Sequence, residues 1–163
     1  MRKIIIVMGV SGSGKTTLGM ALADTFNYLF LEGDTFHSEA NKNKMKSGIP
    51  LTDSDRLPWL EEINKRLQAS STDSIVLACS ALKENYRKII TQGLPKDGVV
   101  WISLEGDYNI LKKRMENRTH FMPSSLLDSQ LEVLESPKNA IVLNCSLSIK
   151  AMIELLKQQL NES

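Results

Sequence analysis

Short apolar runs alternate along the chain with stretches whose apolar residues recur every three or four positions. Ile4-Ile5-Ile6-Val7-Met8 is a continuous and mostly β-branched run, the pattern of a strand covered on both faces. Residues 14–26 follow, with Leu18, Ala21, Leu22 and Thr25 at helical spacing. Tyr28 to Leu31 is predicted as a second strand and residues 52–69 as a helix, with Pro58 tolerated in its first turn. Ser74 to Cys79 reads as a third strand and residues 82–91 as a helix. Val99 to Leu104 is the fourth strand, before a helix over about 107–118 and a short one over 123–135. Ala140 to Leu143 is the fifth strand. The last helix carries Ile149, Met152, Ile153, Leu156 and Leu160 on one face. Five strands alternating with helices predict an α/β fold with a parallel sheet and right-handed crossovers. Ligands of such sheets bind beyond the carboxyl ends of the strands, which directs attention to the residues after Met8, Leu31, Cys79 and Leu104.

Composition narrows the class. A length of 163 residues suits one domain, over 1–163, with its own core, and 42% hydrophobic with 24% charged residues is ordinary for a globular chain. A formal net charge of +1 gives no sequence-wide attraction to nucleic acid or to an acidic membrane. No apolar stretch approaches the roughly 20 residues that span a bilayer. The start MRKIIIVMGV is basic, but its apolar run is short and enters a glycine motif with no cleavage-like end, so it reads as a strand and the expected placement is cytoplasmic. Cys79 and Cys145 form no CxxC pair and sit beside apolar runs, which marks them as small buried hydrophobes.

The sharpest motif follows the first strand. Gly9-Val10-Ser11-Gly12-Ser13-Gly14-Lys15-Thr16 matches G-x-x-x-x-G-K-[ST] in full, between an apolar strand and an amphipathic helix. A triphosphate needs many donors in a small concave space, and glycines let backbone N–H groups converge there. The helix that begins here turns its positive end toward the anion, with Thr17 in its first turn. Lys15 is expected on the β and γ phosphates of ATP and the Thr16 hydroxyl on Mg2+.

The second strand ends in Leu31-Glu32-Gly33-Asp34, which brings Asp34 to the ligand edge. A carboxylate there can orient an acceptor hydroxyl and take its proton late in phosphoryl transfer, or stand in the shell of the metal. His37, Asn41, Lys44, Asp53, Asp55 and Arg56 crowd the segment that follows. The stretch GDTFHSEANKNKMKSGIPLTDSDRLPWL resembles the signature of the gluconokinase family. The element Ala78-Cys79-Ser80-Ala81-Leu82-Lys83-Glu84-Asn85-Tyr86-Arg87, then His120-Phe121-Met122, then Ser129 to Pro137, are similar to further elements of that family, in order, over roughly residues 4–137. Phe36 and Ser38 around the histidine, Lys42 after Asn41 and Thr119 before His120 depart from its usual residues.

The resemblance implies a P-loop kinase of the adenylate-kinase and shikimate-kinase type. It implies transfer from ATP, with Mg2+, to D-gluconate, and a homodimer. Gluconate is a polyol carboxylate, so its site calls for cations and hydrogen-bonding groups. Arg56 or Arg87 can grip the carboxylate in a fork, and Lys44, Lys83, His37, His120 and Gln130 join the expected substrate set. Arg114 and Arg118 share a helix face at i, i+4, and one or the other is expected on the phosphates when a helical lid over about 119–137 closes and excludes water. Catalysis is expected to rest on Lys15, Asp34 and Arg118. The third strand ends without an aspartate at the usual place for a metal-shell acid, which leaves Ser80, Glu32 or Asp34 to serve. A shikimate or nucleoside monophosphate kinase would carry other acceptor motifs. A nucleotide switch has no need of the acceptor cluster, and a nucleic-acid-end kinase would carry a basic track.

Overall fold

The computed structural model describes residues 1–117 and 123–161. Its centre is β1 (Ile4–Met8), buried along its whole length. The other strands are β2 (Leu29–Glu32), β3 (Ile75–Ala78), β4 (Val99–Glu105) and β5 (Ala140–Asn144). They form one parallel sheet in the order β2-β3-β1-β4-β5. β1 pairs with β3 from Ile4 opposite Ile75 and with β4 from Ile4 opposite Val99, so the carboxyl ends of these three strands finish together. This is the expected five-stranded α/β arrangement, with each strand within one or two residues of its predicted bounds.

The helices are α1 (Lys15–Phe26), α2 (Glu39–Lys46), α3 (Asp53–Ala69), α4 (Glu84–Thr91), α5 (Tyr108–Glu116), α6 (Ser124–Val133) and α7 (Ile149–Asn161). They sort onto the two faces according to the pleat of β1. Ile4, Ile6 and Met8 point to a layer built from α3, α4, α5 and α6, through Leu60, Ile63, Ile90, Met115 and Leu127. Ile5 and Val7 point to the opposite layer, where Leu18 and Leu22 of α1 meet Met152 and Leu156 of α7. Each fully buried Leu or Ile contributes about 2 kcal/mol by leaving water, and β1 has such neighbours on both sides.

Helix ends are set locally. Thr52 and Asp55 form a reciprocal capping box at the start of α3. Ser38 caps α2 by accepting from the Asn41 N–H, and Asp107 caps α5 by accepting from Asn109. Asn27 ends α1 in the left-handed conformation, its N–H returned to the carbonyls of Ala23 and Asp24. Pro58 departs from expectation. It is the sixth residue of α3 and therefore lies in the second turn, not the first. The helix survives because the carbonyl that its missing N–H abandons, on Ser54, belongs to an exposed residue that water can serve.

After β2 the chain makes a 3-10 turn over Gly33–Phe36 that rests against the end of β3. A Cβ on Gly33 would stand 2.6 Å from the Ala78 carbonyl oxygen and 3.2 Å from Cys79 Cβ. Gly33→Ala is therefore expected to destabilise the fold by about 1–3 kcal/mol, read as a lower urea midpoint. An unchanged midpoint would contradict the close seating of this turn on β3.

Candidate active site

The loop after β1 closes tightly because Gly9 lets it. With φ at 148°, Gly9 passes so close to its neighbours that a Cβ would stand 2.8 Å from both the Leu104 carbonyl oxygen and Ser13 Oγ. Its N–H reaches the Ser80 carbonyl at the end of β3, at 3.4 Å. The loop then enters α1, whose first turn has no side-chain cap and no acidic residue. Its first N–H groups are therefore offered to an anion. Val10, Ser11, Gly12 and Ser13 are buried under neighbouring elements, and Thr17 stands exposed in the first turn of α1. Lys15 Nζ donates across the loop to the Val10 carbonyl at 3.1 Å. Ser13 Oγ is buried with no hydrogen-bond partner among the described residues, a cost that an anion in the loop would remove. Arg114 of α5 donates from Nη2 to the Cys145 carbonyl at 2.8 Å, and its Nη1 lies 3.9 Å from where a Gly14 Cβ would stand. Arg114 thus overlooks the cradle; Arg118 lies outside the described residues.

Beside the cradle is a cavity walled by Lys15, Asp34, His37, Arg56, Ser80 and Gln130. Asp34 is exposed at its rim, and its carboxylate has no hydrogen bond among the described residues. Arg56 Nη1 is fixed by the Leu51 carbonyl at 2.7 Å and by Tyr86 Oη at 3.1 Å. Tyr86 in turn donates to Asp53. Burial by the surrounding core, then the bond to Asp53, push the Tyr86 phenol above its ordinary value. Gln130 reaches over from α6, where its Oε1 accepts the Ser11 N–H at 2.7 Å. That bond joins α6 to the phosphate cradle. Ser80 lines the cavity, and Ala81, next in the chain, takes a left-handed φ of 44°. Such a conformation costs a non-glycine residue about 1–2 kcal/mol.

His37 is the most enclosed polar group of the wall, at 6% exposure. Its ring stacks on Trp59 with centroids 4.0 Å apart and planes at 16°. Burial is the main reason its pKa falls from 6.5 to about 4, with Arg56 and Lys42 adding to the fall and Asp34 opposing it. The ring is therefore neutral at physiological pH.

Three expected substrate residues stand elsewhere. Lys44 is paired with Asp55 at 2.9 Å. Asp55 also caps the Thr52 N–H, and that bond first, then Lys44, lower its pKa to about 2. Lys83 is paired with Asp53 at 3.2 Å, outside the cavity wall. Arg87 is buried on the far side of α4, where Nη1 donates to the Ala81 carbonyl at 2.7 Å and Nη2 to the Glu135 carbonyl at 2.9 Å. A pair with Glu84 completes its set. His120 lies outside the described residues. Conversely, Asn41, Trp59 and Tyr86 prove structural to the cavity wall. Their sequence signal was only that they fall within the two acceptor-side motifs.

The Thr16 hydroxyl, expected on Mg2+, donates to the Glu32 carboxylate at the end of β2. These two oxygens, with Ser80 and Asp34 nearby on the same edge, are the hard donors that Mg2+ prefers. Among the described residues no three His, Cys, Asp or Glu side chains cluster as a metal cage. Cys79 occupies the end of β3 in place of an acid. Burial pushes its thiol up to about 12, so it is an apolar filler there.

Residues 4–137 match the AAA domain family. A probable gluconokinase of Dictyostelium discoideum is 47% identical over 148 residues, which cover 86% of this chain and 74% of that one. Two solved structures superpose on it. A sugar kinase from Janibacter, in unliganded form, has a TM-score of 0.91 at 41% identity and covers 99% of this chain and 95% of its own. A gluconokinase from Sinorhizobium meliloti has a TM-score of 0.83 at 40% identity and covers 100% and 99% respectively.

The neutral, enclosed imidazole sets a pH window for stability. Because the folded pKa lies below the unfolded one, the unfolded chain binds the extra proton first. Stability is then complete above about pH 6.5 and declines as pH falls toward about 4. Denaturant unfolding from pH 7 to 4 is expected to show this decline, and His37→Gln to flatten it. The loss from Asp55 begins only lower, toward its own pKa of about 2. An equal slope in His37→Gln would contradict the buried neutral ring.

Proposed function

This chain belongs to the gluconokinase family, and from that premise we propose how it moves a phosphoryl group from ATP to D-gluconate. The observation that carries the proposal is the shared wall: Lys15 and Ser11 of the phosphate cradle line the same cavity as Asp34, His37 and Arg56. A donor phosphate and an acceptor hydroxyl placed there meet without any large movement of the sheet.

The phosphates of ATP lie in the loop against the uncapped N–H groups at the open end of α1, with Lys15 on the terminal oxygens. Mg2+ would be held by the Thr16 hydroxyl with Glu32 beside it, and would supply neutralisation of the phosphate charge. Arg56 takes the gluconate carboxylate through its remaining N–H groups, since Leu51 and Tyr86 occupy only Nη1. His37 and Gln130 serve acceptor oxygens. Asp34 orients the acceptor hydroxyl. As that oxygen bonds to the γ-phosphorus and the bond to the β–γ bridging oxygen breaks, Asp34 takes the hydroxyl proton and ADP departs. Lys44, Lys83 and Arg87 support the wall through their carboxylate and carbonyl partners in this reading. The segment 119–137 acts as a lid that excludes water, and Arg114, together with Arg118, neutralises phosphate charge. The same family reading carries a homodimer and a cytoplasmic site of action. Among the described residues no helix is long and apolar enough to cross a membrane.

The test is gluconate-dependent turnover, with the phosphorylated product followed by phosphorus NMR. Lys15→Ala is expected to remove nearly all turnover while thermal unfolding stays cooperative; near-normal kcat would refute the cradle. Asp34→Asn is expected to lower kcat by about 10²–10⁴ if it accepts the proton. A change confined to the Mg2+ dependence would instead place it in the metal shell.

A further inference from the structure

Asn41 sits on α2, behind the cavity wall, and is 5% exposed. Its Nδ2 lies 2.8 Å from the Asp55 carbonyl oxygen and 3.3 Å from Nδ1 of His37. A backbone carbonyl only accepts, so the Asn41 atom that faces it is the NH2 group, and the orientation of the amide follows. That NH2 has one hydrogen for Asp55 and one for His37. An amide nitrogen does not accept, so His37 Nδ1 is the acceptor and carries no proton. In a neutral imidazole the remaining proton then sits on Nε2. His37 lines the acceptor cavity, and its Nε2 has no hydrogen-bond partner among the described residues.

We infer that Asn41 is a positioning residue that holds His37 as the Nε2–H tautomer, so that the imidazole presents one N–H donor, and no acceptor, to an oxygen of the acceptor substrate. The inference rests on the gluconokinase reading for the identity of that substrate. It assigns the His37 position to a carboxylate or hydroxyl oxygen and excludes an ammonium group there, which would face a donor. The ring has cause to stay neutral as well. Arg56 on α3 and Lys42 on α2 oppose a further cation, Lys15 adds a third on the cavity wall, and Asp34 from the 3-10 turn opposes them. The stacked Trp59 covers one face of the ring. Asp55 enters twice, since its carbonyl orients Asn41 and its carboxylate holds Lys44 at 2.9 Å.

The chain has two histidines, so a long-range nitrogen–proton NMR spectrum of the labelled protein at pH 7 shows two rings, and His120→Gln assigns the His37 signals. Nε2 is expected in the pyrrole-type range and Nδ1 in the pyridine-type range, with gluconate shifting Nε2–H. A wild-type ring protonated on Nδ1 overturns the inference before any variant is made. Asn41→Leu is expected to give a mixture of tautomers and to raise KM for gluconate by the inverse of the remaining Nε2–H fraction, about twofold for an even mixture, with KM for ATP unchanged. Asn41→Asp is expected to draw the proton to Nδ1 and to raise the pH at which the ring titrates. An unchanged tautomer in both variants, or an unchanged gluconate KM once the tautomer has changed, overturns it. If wild-type protein shows no turnover with gluconate, the gluconokinase reading fails, while the tautomer is still decided by the spectrum alone.

Discussion

β1 is the strand to which the other parts answer. Both of its faces are covered and both of its edges are paired, to β3 and to β4, so its backbone has no spare donor or acceptor and nowhere to go but onward at its carboxyl end. The loop that follows must turn within the thickness of the sheet and deliver the chain to α1, which packs on one face through Leu18 and Leu22. That requirement selects glycine where backbone approaches backbone at Gly9, and it leaves the N–H groups of the first helical turn open. The phosphate cradle is what remains when a buried parallel strand meets a helix that lacks a cap. The neighbours of β1 set the rest, since β2 and β3 end at the same edge and bring Glu32, Asp34 and Ser80 to it.

The acceptor wall is held differently. Beyond Asp34 and Ser80 at the strand ends, its residues sit on turns and helices. Its order comes from a few side chains: Asp55 between Thr52 and Lys44, Tyr86 between Arg56 and Asp53, and Gln130, which lines the cavity while bound to Ser11. Exposed ion pairs such as Lys83 with Asp53 contribute little free energy on their own. Their value lies in direction. Through Asp53 and Tyr86 they hold Arg56 in place, its Nη1 occupied by the Tyr86 hydroxyl and the Leu51 carbonyl. The stacked pair of His37 and Trp59 supplies the enclosed, rigid part of the same wall.

The strands, their parallel order and the cradle were legible in the sequence because each depends on neighbours in the chain: a run of β-branched residues, then glycines at fixed spacing, then a helical period. The acceptor segment was legible as a cluster through its likeness to a family. Which of its members face the cavity was not. Lys44, Lys83 and Arg87 have the right chemistry for a sugar acid. Their partners, however, are Asp55, Asp53 and the Glu135 carbonyl, distant in sequence and reached only when α3, α4 and the stretch after α6 are assembled. The role of Asn41 was hidden for the same reason, since its amide is oriented by the Asp55 carbonyl across two helices. Pro58 was assigned to the first turn, but from either the predicted start at residue 52 or the observed start at Asp53 it lies in the second.

The central claim is that one sheet edge joins a nucleotide cradle to a cavity for a polyol carboxylate. The most direct measurement is ADP release with MgATP against gluconate, other aldonates, shikimate, AMP and no acceptor. Strong stimulation by gluconate above the rest is the result that the shared wall of Lys15, Asp34 and Arg56 predicts. ADP release that no acceptor stimulates, or that shikimate or AMP stimulates in place of gluconate, would contradict it.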